Sequence, residues 1–65
     1  MEILLWKVRT QKGYTLERLE QKCGIGKSTL HRIEVGETSP TMDSMEKIAR
    51  AMKVKITDLF DSEYK

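Results

Sequence analysis

Apolar residues recur along this chain at spacings of three and four, and nowhere in the strict alternation of a half-buried strand. Five short helical segments follow. The first, about residues 2–12, has apolar positions 4, 5 and 8 and ends at Gly13. The second, about 15–23, turns Leu16, Leu19 and Cys23 inward. Thr15 can accept a hydrogen bond from an orphan first-turn amide, and Gly24 can adopt the left-handed closing conformation. The third, about 27–35, buries Leu30 and Ile33 and stops at Gly36. The fourth, about 42–52, is announced by Ser39-Pro40-Thr41, with Thr41 as cap and Asp43 favouring the dipole. Its inward stripe is Met45, Ile48, Ala49 and Met52, and Met42 joins Met45 and Met52 at helical spacing as core packing. The last segment, about 56–61, buries Ile56, Leu59 and Phe60. The expected architecture is all-α, one compact five-helix domain over residues 1–65.

Length narrows the function classes. A chain of 65 residues buries only about 60% of its unfolded surface, which disfavours a deep two-substrate cleft. The longest apolar run near the start, Ile3-Leu4-Leu5-Trp6, is far short of a membrane span or a signal core. Cys23 is the single cysteine, so no intramolecular disulfide or cysteine-based zinc site can form, and a reducing cytoplasm is expected. His31 has no partner His or Cys, so neither a metal nor catalysis is expected. Gly24-Ile25-Gly26-Lys27-Ser28-Thr29 ends like a phosphate-binding loop, but the glycine that motif needs at position 21 is Gln21. We therefore expect no enzyme activity, no cofactor and no small-molecule ligand, with nothing beyond the domain to sense one.

Charge is informative only once divided. The net charge is +2, yet residues 1–36 carry seven basic and four acidic side chains and residues 37–65 carry five and six. Between Lys22 and Arg32 there is no acid at all. This stretch contains the tightest connection in the chain, the three residues Gly24-Ile25-Gly26 between segments two and three. Helices joined so closely cross steeply, with Ile25 under the corner, which is a helix-turn-helix whose second helix can enter a DNA major groove. At 100° per residue, Ser28, His31, Arg32 and Val35 fall opposite Leu30 and Ile33, with Lys27 at the edge of that face and Thr29 and Glu34 beside the core stripe. Lys and Arg donors match guanine O6 and N7, Ser can reach bases or phosphate, and helix N-terminal amides near Lys27 add an anion site. A merely solvated helix face is the alternative on this pattern alone.

The ordered set Gly13-Tyr14-Thr15-Leu16-Glu17-Arg18-Leu19, Cys23-Gly24-Ile25, Lys27 to Gly36, and Pro40 through Met52 to Leu59-Phe60 resembles the Cro/Xre (Cro/C1) family of helix-turn-helix DNA-binding domains. The resemblance covers most of residues 3–60. It implies the five-helix lambda-repressor-like fold and a bacterial or phage transcriptional regulator, commonly a repressor binding double-stranded DNA as a homodimer. It implies that Lys27, Ser28 and Arg32, with His31, face base edges, and that Thr15, Thr29, Thr38 and Ser39 lie near phosphates. It also implies a structural salt bridge between Arg9 and Glu34. Three positions depart from the family pattern. Leu16 replaces a glutamine that contacts DNA backbone, Glu20 replaces a small residue where the two helices approach, and Gly26 replaces a Ser or Thr cap. Glu20 must bend outward, pair with a base such as Lys27, or open the helix angle. The rival reading is a protein-interaction module on the same scaffold. Ile3, Trp6 and Tyr64 remain outside the core pattern. Either Trp6 packs over Phe60 and Tyr64, or the three form a self-association surface.

Overall fold

The computed structural model describes all 65 residues. Four α-helices account for most of the chain: α1 (Leu5–Gln11), α2 (Leu16–Cys23), α3 (Lys27–Glu34) and α4 (Met42–Met52). A single 3-10 turn, Ile56–Leu59, follows α4. Two of the expected features are corrected. The fold is not wholly α, because β1 (Glu2–Ile3) pairs antiparallel with β2 (Phe60–Asp61), placing Glu2 opposite Asp61 and Ile3 opposite Phe60. The helix count is four plus a 3-10 turn, and α1 begins at Leu5 rather than near residue 2. The physical reason is the same for both. Residues 2 and 3 satisfy their backbone in the ladder, and the Leu4 N–H donates to the Leu59 carbonyl at 2.8 Å, tying the two ends of the chain together.

Nine side chains form one apolar cluster: Leu5, Leu19, Leu30, Ile33, Met45, Ile48, Ala49, Met52 and Leu59. Each α-helix and the 3-10 turn contributes at least one, so every helix closes the same core. The helical periods thus face inward as their spacing requires. Met42 is an exception. It lies three residues before Met45, at the first position of α4, and stays largely exposed. Cys23 is half-buried, its Sγ accepting from the Ile25 N–H at 3.5 Å.

Terminal devices follow the local chemistry. Thr15 Oγ1 accepts from the Arg18 N–H at 3.1 Å, and Thr41 Oγ1 accepts from the Ser44 N–H at 3.1 Å. Gly24 closes α2 with φ 78°, a conformation that a Cβ disfavours. Lys53 closes α4 in the same left-handed region, φ 58°, with no glycine to mark the stop in the sequence.

Candidate nucleic-acid interface

The turn after α2 positions the site. Gly24 reverses the chain, Ile25 packs at the edge of the core, and Gly26 starts α3. Leu30 and Ile33 anchor α3 from below, leaving Lys27, Ser28, Thr29, His31 and Arg32 exposed. Lys27, Ser28, His31 and Arg32 line one open depression, together with Leu16 from the start of α2 and Glu37 from the loop after α3. The structure therefore gathers the four expected base-reading residues. Thr29 is exposed but lies outside that depression. Thr15, Thr38 and Ser39 are exposed, Thr15 at the N-terminus of α2 and the other two in the loop before α4.

The only acid within α3 is removed from this face. Glu34 receives the Arg9 guanidinium in a two-pronged pair, Nε to Oε2 at 2.6 Å and Nη2 to Oε1 at 3.2 Å. The third prong, Nη1, donates to the Tyr14 carbonyl at 2.9 Å. Both side chains are nearly covered, at 12% and 4% exposed. Charge and hydrogen-bonding capacity are both met there, so the pair ties α1 to α3 and leaves no net charge.

Two acids temper the basic face. Glu17 Oε1 lies 3.9 Å from Lys27 Nζ, a loose and solvated pair. Glu37 was not anticipated in the site. It reaches the rim because the chain folds back after α3, with the Glu37 N–H donating to the Arg32 carbonyl at 2.9 Å. Its position just after Gly36 was the available signal. Glu20 takes none of the expected routes in full. It is half-buried, does not pair with Lys27, and sets its Oε2 4.0 Å from where a Gly26 Cβ would stand. The Glu20 carboxylate thus lies at ordinary contact distance from the position a Gly26 side chain would take. Gly26 provides no side-chain cap, and the Glu20 carboxylate sits at the positive end of α3. The anion site expected from open amides near Lys27 accordingly has a resident negative charge beside it.

Ile3, Trp6 and Tyr64 have separate environments. Ile3 is half-buried against the core, and Tyr64 is 90% exposed with no cover from Trp6. Trp6 is 60% exposed and lines a second depression with Arg9, Leu16, His31, Glu34 and Val35. The fold also assembles a cationic group that division along the chain conceals. Lys22 from α2 meets Lys47, Arg50 and Lys53 of the α4 end around Cys23 and Ala51. No helix is long and apolar enough to cross a membrane.

The sequence profile described as helix-turn-helix matches residues 7–59. The HTH-type transcriptional regulator SlrR of Bacillus subtilis (strain 168) is 38% identical over 56 residues, covering 85% of this chain and 37% of SlrR. SinR of the same organism is 35% identical over 57 residues, covering 86% of this chain and 51% of SinR. This chain therefore spans only about a third to a half of the length of those two relatives. The solved N-terminal DNA binding domain of SinR superposes with a TM-score of 0.79 at 31% identity, covering 94% of this chain and 90% of that one. With its geometry and its sequence in agreement, the chain belongs to the helix-turn-helix family of the Cro/C1 type.

Proposed function

We propose that this chain binds double-stranded DNA sequence-specifically as a transcriptional regulator, with α3 in the major groove, and that it represses by occupying a promoter. The observation that carries the reading is the gathering of Lys27, Ser28, His31 and Arg32 on the exposed side of α3, with Glu34 of the same helix turned into the Arg9 pair. In this reading Arg32 and Lys27 donate to guanine edges, and Ser28 and His31 add hydrogen bonds. Thr15, Thr29, Thr38 and Ser39 contact phosphates and set register. The work of the protein is recognition in the cytoplasm, with no catalytic step.

An eight-residue α3 is about 12 Å long, which spans roughly four base pairs. One copy therefore reads a short half-site. Two copies, set about 34 Å apart on successive major grooves, supply the specificity a regulator needs. The charge balance points the same way, because Glu17, Glu20 and Glu37 keep a single copy's attraction for phosphate modest.

The test is a duplex titration at several salt concentrations, with sequences selected from a random pool set against bulk DNA. Affinity should fall steeply with salt, by a slope of about −0.9 per phosphate contacted in log–log form. Selected duplexes should bind far more tightly than bulk DNA, and a palindromic consensus would support the two-copy arrangement. Absence of binding at low salt defeats the reading and leaves protein interaction as the use of the scaffold.

A further inference from the structure

We propose that Trp6 is a DNA-contacting residue, its indole set against the sugar–phosphate strand that passes the start of α2. The inference rests on the duplex-binding reading above and extends that interface to α1. It begins with the two depressions on this side of the molecule. One holds Lys27, Ser28 and Arg32, the other holds Trp6 and Val35, and both are lined by Leu16 and His31. Trp6 is therefore continuous with the candidate reading face, separated from it by only those two side chains.

Its chemistry suits that neighbour. The indole N–H is a donor only, and a phosphate oxygen is an acceptor only. Trp6 uses its carbonyl to accept from Thr10 Oγ1 at 2.8 Å, but its ring N–H has no partner within the chain. An amphipathic ring left 60% exposed, with its donor unspent, suits a ligand offering apolar deoxyribose beside acceptor oxygens. The electrostatics permit the approach. Glu34 is the acid in the Trp6 depression, and the Arg9 guanidinium neutralises it through two hydrogen bonds. No free negative charge lines that surface, and His31 is available beside it. Leu16 has no hydrogen-bonding side chain at the start of α2, so it cannot hold the strand there. Across the same depression Trp6 supplies both a donor and an apolar surface.

Trp6 is the sole tryptophan, so it reports on itself. Binding of a fluorescently labelled, selected duplex is followed by anisotropy while Trp6 emission and its quenching by acrylamide are recorded on the same protein. Saturation with duplex should change the emission and shield Trp6 from acrylamide. Trp6→Ala should weaken duplex binding by about tenfold, and Trp6→Phe, which keeps a ring but loses the donor, by less. Because indole is neutral, neither variant should alter the salt slope, unlike loss of a phosphate-bound cation. Duplex binding with Trp6 still open to acrylamide, and with full affinity in Trp6→Ala, overturns the proposal while leaving the DNA reading intact. No duplex binding by the unsubstituted protein overturns both. Emission that shifts with protein concentration in the absence of DNA, alongside dimers lost in Trp6→Ala, assigns the indole to a second copy instead and also overturns it.

Discussion

Helices α3 and α4 lie in the same small domain and are built on opposite principles. The eleven-residue α4 stabilises its own ends. Thr41 caps it, Asp43 sits in its first turn, Lys53 closes it, and Met45, Ile48, Ala49 and Met52 are buried along one side. The eight-residue α3 has a glycine at its N-cap, no acid in its first turn, and only Leu30 and Ile33 fully buried. An acidic or serine-capped start would stabilise α3 alone, but an acid there would repel a phosphate. The helix proposed to face a polyanion is locally weak, and its neighbours hold it in place. Arg9 clamps its C-terminal end from α1, and Glu20 of α2 supplies a negative charge near its N-terminus. Stability resides in α4 and in the contacts beneath α3, while the exposed side of α3 is free for recognition.

Substitutions can break that division, and the largest effect is expected in α4. Ile48 is completely buried, so Ile48→Ala should cost about 2–5 kcal/mol in denaturant unfolding. For 65 residues that is a large share of a total stability of roughly 3–10 kcal/mol. Next, Arg9→Ala strands the covered Glu34 carboxylate and should cost about 3 kcal/mol. A cost near that of an exposed ion pair would mean α3 does not depend on the clamp. Arg32→Ala should reverse the pattern, leaving the unfolding midpoint within about 0.5 kcal/mol but costing about 1–3 kcal/mol at one base pair of the preferred duplex. An equal loss on every sequence would make Arg32 a phosphate contact. Thr41→Ala should cost about 1 kcal/mol by removing the α4 cap. The smallest effect sharpens the comparison most. Gly26 has φ −59° and ψ 146°, open to any residue, and Gly26→Ser should add only a few tenths of a kcal/mol of stability. A much larger gain would show that Glu20 does not compensate for the missing cap of α3.

Legibility followed the range of the interactions. The bounds of α4 were readable because Pro40, Thr41 and the four-residue stripe act within one or two turns, and the observed helix is Met42–Met52 as expected. The α2–α3 corner was readable for the same reason, through Thr15, Gly24 and the leucine spacing. The start of α1 was not, because residues 2 and 3 pair with residues 60 and 61, and no local pattern records a partner at the other end of the chain. In the site, the helical period of α3 puts Lys27, Ser28, His31 and Arg32 on the exposed face, since that depends only on the spacing from Leu30 and Ile33. Glu37 escaped because a loop's return path depends on the Arg32 carbonyl it bonds. The resemblance had implied the Arg9–Glu34 pair, but its bidentate geometry and burial belong to packing between α1 and α3.

Helical period, caps and breakers are short-range effects, so the amino-acid order alone was enough to place α2, α3 and α4, their inward stripes and the chemistry of the α3 face, but not the start of α1 or the strand pair. Which side chains from distant segments meet depends on how the helices pack. That packing set Glu20 against the space over Gly26 and brought Trp6 beside His31 and Val35. It also drew Lys22 together with Lys47, Arg50 and Lys53, although division along the chain had assigned these cations to different halves. Local conformational preferences act through a few bonds, whereas charge and apolar surface act across space, and only the folded core sets those distances.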